Sequence, residues 1–296
     1  MNKSFHFKDN RNVALVYRLA TDSAVHLANS LADWLKSKGC RVYTAPEQQL
    51  IKGTLPLKKS KLKSMSLVIA LGGDGTYLRA IRLLEQSSVP ILVVNLGSLG
   101  FLTTIKAHEA FRAAEQTLKG QMKLAPRSLI ELTLMKNGKR KTRILALNDI
   151  VIERGSLSQL INVSITADGT PDGQSIFEVK ADGVILSSPT GSTAYNLAAG
   201  GPILHPRVEA FVVTPIAPHS LTSRPLVLPD SQDMHFKLVG ELQQAHLIAD
   251  GQKIAQIGPK DEIIARKCST QHWMIQEKGY DVFQLLREKF RITERA

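Results

Sequence analysis

The hydrophobic period of this chain changes at Ala125-Pro126, and that change commits it to two differently built parts. Before this point, short apolar runs of strand length alternate with stretches at helical spacing; beyond it, apolar residues recur at every second position. The runs Val13–Tyr17, Arg41–Tyr43, Leu67–Leu71 and Ile91–Val94 predict buried strands, separated by lengths that suit crossover connections in a parallel sheet. Ala24, Leu27, Ala28, Leu31, Trp34 and Leu35 predict a helix with one buried face, with Thr21 as its N-cap and Gly39 just past its end. A second helical segment carries Phe111, Ala114 and Leu118 and stops at Gly120. Residues 1–125 are therefore expected to form a Rossmann-like α/β domain.

After the boundary, Ile130, Leu132 and Leu134 alternate with polar residues up to Asn137-Gly138, and Ile161, Val163 and Ile165 do so up to Asp168-Gly169. Both dipeptides favour hairpin turns. With further strands predicted at 211–213, 234–238, 246–249 and 262–265, residues 126–276 are expected to be mostly antiparallel β. Val282 to Phe290 return to helical spacing, so the segment 277–296 is expected to pack back on the first domain. No repeat of fixed period and no low-complexity segment interrupts this plan.

Composition narrows the function classes. With 43% apolar residues, 296 residues can bury two cores, but no run approaches the roughly 18 apolar residues of a membrane span. The start, from Met1 to His6, has no signal-peptide apolar region, so the expectation is a cytoplasmic protein without membrane partners. Cys40 and Cys268 stand far apart with no metal-binding spacing, which predicts buried thiols and no protein-held metal. The formal net charge of +12 favours polyanionic partners. Its lysine and arginine clusters at 58–63 and 136–141 lack nucleic-acid motifs, and aromatics make up only 5%, so nucleotides are expected and nucleic acid is not.

Gly72-Gly73-Asp74-Gly75-Thr76 follows the strand run Leu67–Leu71 and precedes Leu78, Ile81 and Leu84 at helical spacing. Such a strand–loop–helix junction brings backbone N–H groups and the positive end of a helix up to a phosphate. It is neither a Walker A loop nor a Gly-x-Gly-x-x-Gly fingerprint. Asp74 is out of place among groups arranged for anions unless it has a task. It either contacts a divalent cation, serves as base for an attacking hydroxyl, or caps the helix.

The second concentration of unusual residues runs from Lys180 through Asp182-Gly183 to Thr190-Gly191-Ser192-Thr193-Ala194-Tyr195 and on to Gly200-Gly201-Pro202. It reads as turn, strand, small-residue loop and short helix. The hydroxyls of Thr190, Ser192 and Thr193, with a Tyr195 ring able to stack on a base, suit a nucleotide; the bland alternative is a helix cap with Tyr195 in the core.

Five segments together resemble the bacterial NAD kinases: Leu71 to Thr76, Asn95-Leu96-Gly97-Ser98-Leu99-Gly100-Phe101-Leu102-Thr103, Asn148-Asp149, Asp182 to Pro202, and Thr214 to Leu221. The resemblance covers most of the chain. It implies transfer of the γ-phosphate of ATP, accompanied by Mg²⁺ or another divalent cation, to the 2′-hydroxyl of the adenosine ribose of NAD, with Asp74 as proton acceptor. It also implies that Gly72, Gly73 and Arg79 belong to the nucleotide-binding set, that Gly75, Asn148 and Asp149 contact NAD, and that Asp182 lies near the nicotinamide end. Thr190, Gly191, Ser192, Thr193, Ala194 and Tyr195 would surround the nucleotide and Gln252 would close the pocket, the two halves forming a cleft. Asp149 departs from the family pattern, where Glu is usual, and Lys180 stands where relatives vary between basic and small residues. His219 carries no chemical role in the resemblance and reads as structural. The family also implies a homo-oligomer, dimer or tetramer. Two other readings stay open: a lipid kinase sharing the Gly-Gly-Asp-Gly loop, and a non-catalytic sensor of NAD or NADP.

Overall fold

The computed structural model describes residues 3–5, 7, 10–97, 100–103, 105–155, 159–168, 175–241 and 243–290. Ser98 and Leu99 of the glycine-rich segment and Gly169 of the second hairpin dipeptide lie outside the described residues. The chain divides into two compact units, one of residues 1–126 with 272–296, the other of residues 127–271.

The first unit is built on a largely parallel sheet. Its strands run in the order Leu55–Pro56, Arg41–Thr44, Asn12–Tyr17, Leu67–Leu71, Ile91–Asn95, His272–Gln276, Lys123–Arg127 and Lys3–Ser4, with Ile105–Lys106 attached beside Ile91–Asn95. Asn12–Tyr17, Leu67–Leu71 and Ile91–Asn95 are each buried along their whole length, which is why they read as continuous apolar runs without alternation. The helix Asp22–Ser37 lays Ala24, Ala28, Leu31, Ala32 and Leu35 on the sheet's core. Thr21 is its N-cap by position, but its hydroxyl donates to the Leu19 carbonyl (3.1 Å) and only its backbone carbonyl serves the helix.

From Asn12–Tyr17 the chain crosses over to Arg41–Thr44 on one side, whereas from Leu67–Leu71 it crosses to Ile91–Asn95 on the other. The strand order therefore reverses between Asn12–Tyr17 and Leu67–Leu71. Just outside the carboxyl ends of such strands is where open α/β sheets bind ligands. The Gly72–Gly75 loop leaves the sheet at that point.

His272–Gln276, which the expected boundary at residue 276 assigns to the antiparallel half, pairs parallel to Ile91–Asn95 in this sheet. Tyr77 Oη and His272 Nε2 are 2.7 Å apart within the buried core, which ties the returning strand to the helix Asp74–Leu84. The helix Val282–Phe290 follows, and its Phe290 ring packs against Phe101 with centroids 5.5 Å apart.

The second unit consists of two antiparallel sheets of six strands each among the described residues. One runs Lys139–Ala146, Ile130–Lys136, Asp261–Lys267, Met234–Leu238, Ile161–Ala167, Phe177–Ala181. The other runs Leu226–Pro229, Ala210–Ile216, Gly183–Ser187, Asp149–Arg154, Ala245–Ala249, Gln252–Ile257. Apolar side chains of both sheets share one core, from Ile130 and Val163 to Phe211 and Leu247. Asn137 and Gly138 form the expected hairpin turn with both residues left-handed, and Asp250-Gly251 does the same between Ala249 and Gln252. The central strand Asp149–Arg154 escapes the period-two pattern because Asp149 to Ile152 are buried consecutively.

Candidate active site

In the first unit the helix Asp74–Leu84 starts at Asp74 itself, with Gly73 as N-cap and no side-chain capping bond. Gly72 N–H is spent on the Val94 carbonyl (2.8 Å), which anchors the loop to the neighbouring strand. Nothing lies within 4 Å of where a Cβ would stand at Gly73 or Gly75, so the loop's backbone is open beside Asp74. The Gly73 carbonyl takes the Thr76 and Tyr77 N–H groups (2.9 and 3.3 Å), which begins the helix ladder at the loop.

Asp74 does not cap its helix. Its Oδ1 accepts from Thr103 Oγ1 (3.0 Å) and its Oδ2 from Phe101 N–H (3.3 Å). Gly100 lies so close beneath the carboxylate that a Cβ there would sit inside it. The segment 95–103 thus forms the seat of Asp74, a role its resemblance-bearing glycines and aromatic did not reveal by spacing. Arg79, half-buried, donates from Nη2 to the Tyr17 carbonyl (2.7 Å), so part of its guanidinium is already used in holding the loop's neighbour strand. Burial lowers its pKa from the ordinary arginine value, with Glu47 opposing.

In the second unit Asn148 and Asp149 open the strand Asp149–Arg154, and the structure adds Asp250 to them. Asp250 accepts from Leu147 N–H (2.8 Å), Asn148 N–H (2.7 Å) and Asp149 N–H (3.3 Å), while its own N–H donates to the Asp149 carbonyl (3.0 Å). A carboxylate with several backbone donors is a strong anchor. The sequence gives a sign of it only in Asp-Gly, the dipeptide of a tight turn. Asp149, 5% exposed, has its carboxyl pushed up to about 7, first by burial and then by the Asp250 charge. Near neutrality it can therefore donate as well as accept a hydrogen bond.

Asp182 forms an ion pair with Arg154 Nε (2.8 Å) and is half-buried. Thr190 is buried, and Gly191–Thr193 is a 3₁₀ turn followed by the single helical turn Tyr195–Ala198. The predicted short helix is thus too short to supply a helix dipole, and the loop offers backbone and small side chains instead. Ser192 is fully buried: its Oγ donates to the Pro189 carbonyl (2.7 Å) and accepts from Leu204 N–H (2.9 Å). Thr193 Oγ1 lies 3.4 Å from the Thr190 carbonyl and Ala194 N–H donates to Gly191 O (2.8 Å).

Tyr195, in contrast to a core aromatic, is 41% exposed. Its pKa is raised by partial burial and then by the charges of Glu153, Asp149 and Asp182, which puts Tyr195 within electrostatic reach of these carboxylates. Lys180 is exposed, with its carbonyl held by His219 N–H (2.8 Å); His219 is itself exposed. Gln252 is exposed at the turn that presents Asp250.

Gly191 shows how tightly this loop is fitted: a Cβ there would overlap the Asn148 carbonyl. Since that atom is backbone, Gly191→Ala is expected to destabilise the fold by about 1–3 kcal/mol. Thermal unfolding checks the stability, since the Asn148 backbone must move to admit the methyl group.

Comparison with known proteins agrees with this arrangement. Residues 13–122 match the family model of the ATP-NAD kinase N-terminal domain, and residues 147–276 that of the ATP-NAD kinase C-terminal domain. The NAD kinase of Bdellovibrio bacteriovorus is 51% identical over 289 residues, covering 97% of this chain and 94% of that protein. The NAD kinase of Geotalea daltonii is 35% identical over 287 residues, covering 96% and 100%. Yeast NADH kinase, solved in complex with NADH, matches with a TM-score of 0.87 at 26% identity over 97% of this chain and 89% of that one. An NAD kinase from Archaeoglobus fulgidus, solved with ATP, shares the fold with a TM-score of 0.72 over 95% and 98% at 23% identity. The likeness extends through the antiparallel half, which sets aside the lipid-kinase alternative resting on the Gly-Gly-Asp-Gly loop alone. The chain belongs to the NAD kinase family.

Proposed function

We propose that this enzyme phosphorylates NAD with ATP, and that Asp74 accepts the proton of the 2′-hydroxyl of the adenosine ribose as that oxygen attacks the γ-phosphorus. The bond from the 2′-oxygen to phosphorus forms, the bond from phosphorus to the β–γ bridging oxygen breaks, and ADP leaves. Mg²⁺ or another divalent cation enters with the triphosphate as part of the substrate. The transition state of phosphoryl transfer is loose, so the protein contributes mainly by orienting the hydroxyl and by stabilising the phosphoryl oxygens. A carboxylate is a weak base at neutral pH, and orientation is what Asp74 chiefly supplies.

The observation that carries this reading is the state of the Asp74 carboxylate: it stands at a phosphate-type loop, free of any capping duty, and is pinned by Thr103 and Phe101 N–H. The open backbone of Gly73 and Gly75 supports a phosphate beside it. For the acceptor, Asn148, Asp149 and Tyr195 provide amide, carboxyl and ring functions that match an adenosine, with Asp182 toward the nicotinamide end and Lys180 and Gln252 as further neighbours of the dinucleotide. Ser192 is read as a structural support of that loop, because its hydroxyl has both its partners inside the protein. A cytoplasmic homo-oligomer, dimer or tetramer, completes the reading carried by the family resemblance.

Purified protein given ATP, Mg²⁺ and NAD is expected to form NADP, read by an NADP-specific dehydrogenase coupled to a dye. Absence of NADP from folded protein that binds both nucleotides would sink the proposal and favour a sensor.

A further inference from the structure

We propose that Thr103 and Asn95 are positioning residues for phosphoryl transfer, forming a one-way chain of hydrogen bonds that ends on Asp74. The inference rests on Asp74 as proton acceptor. Asn95 is 3% exposed and Thr103 is fully buried, so neither can exchange its partners for water. Asn95 Oδ1 accepts from Gly97 N–H (2.7 Å), which fixes the amide orientation and turns Nδ2 toward Thr103. Nδ2 then donates to Thr103 Oγ1 (2.6 Å) and approaches the Thr103 carbonyl (3.4 Å).

Thr103 Oγ1 also receives Gly100 N–H (3.3 Å). A hydroxyl has two lone pairs and one proton. With both acceptor positions occupied, its proton has one place to go, and that is Asp74 Oδ1 at 3.0 Å. The direction of the chain is thereby set from Gly97 through Asn95 and Thr103 to Asp74. Phe101 N–H fixes the second carboxylate oxygen, so rotation of the Asp74 side chain costs two hydrogen bonds at once. What this provides is a carboxylate with one lone pair of each oxygen taken and the remaining ones aimed in a constant direction. Reaction rates are steeply sensitive to such aim, a displacement of about 1 Å costing on the order of a hundredfold.

Two substitutions test the chain without altering volume. Thr103→Val keeps the shape and removes the hydroxyl. Asn95→Asp keeps the shape and presents an acceptor to Thr103, so that its proton turns toward residue 95 and away from Asp74. Both are expected to lower kcat by about tenfold to a hundredfold, with KM for NAD and for ATP within about threefold, since the lost interaction serves the transition state and not ground-state binding. Thr103→Ser, which restores the hydroxyl, is expected to return kcat to within about threefold of the parent. A merely structural role would move both KM values and would not be rescued in kcat alone.

Asp74→Asn measured alongside separates the two ideas. If it is inactive while folded Thr103→Val or Asn95→Asp keeps parental kcat, the chain of positioning residues is refuted and Asp74 stands. If Asp74→Asn is fully active, the role of Asp74 itself falls, and with it this inference. Should Thr103→Val not fold, Asn95→Asp and Thr103→Ser give the same decision.

Discussion

Asp74→Asn should reduce kcat by about a thousandfold, within the range lost when a positioned acid or base is removed, while NAD and ATP still bind. The amide is isosteric but its nitrogen cannot accept a proton or a hydrogen bond. One of its two terminal atoms can still take the Thr103 hydroxyl proton or the Phe101 N–H, but not both, so a modest loss of stability accompanies the change. Fold and catalysis are therefore distinguishable: Tm should drop by a few degrees, whereas steady-state rates with the coupled NADP readout should nearly vanish. Equal KM values with a collapsed kcat identify an interaction made in the transition state alone. Retention of more than about a tenth of the parental rate would exceed what loss of a positioned base permits and would remove Asp74 from the mechanism.

Asp149→Asn should stabilise the protein, and by an amount that grows with pH. Burial and the Asp250 charge raise the folded-state pKa of Asp149 from 3.8 to about 7. A group whose folded pKa lies above its unfolded value contributes stability that is present at low pH and lost as pH rises through the folded pKa. The loss begins once the unfolded carboxyl ionises near pH 4 and is complete above about pH 7, where the folded protein carries a charge that burial and Asp250 both oppose. Each pKa unit corresponds to about 1.4 kcal/mol, so the ionised side chain costs about 2–4 kcal/mol above pH 7 after allowance for local relaxation. An asparagine is neutral in both states and escapes that cost.

The Tm difference between Asp149→Asn and the parent is therefore expected to be small at pH 4 and to reach about 5–10 °C at pH 8. A difference independent of pH would show that Asp149 ionises normally in the folded protein. The same substitution should weaken NAD binding, because a buried carboxyl kept at such a cost is the mark of a binding site more often than of a scaffold. Stability gained and affinity lost in one variant is the expected pattern for a side chain retained for function.

The α/β half and the antiparallel half were legible in the sequence because periodicity is a local property. Leu67–Leu71 and Ile91–Val94 read as buried strands from their own composition, and Val282–Phe290 as a helix from its own spacing. Gly72 to Gly75 were legible as a strand–loop–helix junction for the same reason, since the strand before it and the helix after it are both encoded within about 20 residues. Where burial is two-sided, as along Asp149 to Ile152, alternation disappears and no local period marks the strand. His272–Gln276 shows the same limit from another side: a short strand carries no mark of which sheet it joins, and its pairing with Ile91–Asn95 was set by tertiary packing.

The sequence by itself determined the two fold classes, the hairpin at Asn137-Gly138 and the identity of Asp74 as the carboxylate that required a task. Tertiary structure decided what that carboxylate does in the fold, by placing Thr103 and Phe101 N–H on its two oxygens in preference to a capping bond. It likewise brought Asp250 to the backbone of Leu147, Asn148 and Asp149, about a hundred residues away along the chain, and raised the pKa of Asp149, by burial first and by the Asp250 charge second. The physical reason is one of range. Side-chain period follows from the geometry of a single helix or strand, whereas hydrogen-bond partners and local dielectric are properties of groups that meet only once the whole unit has closed.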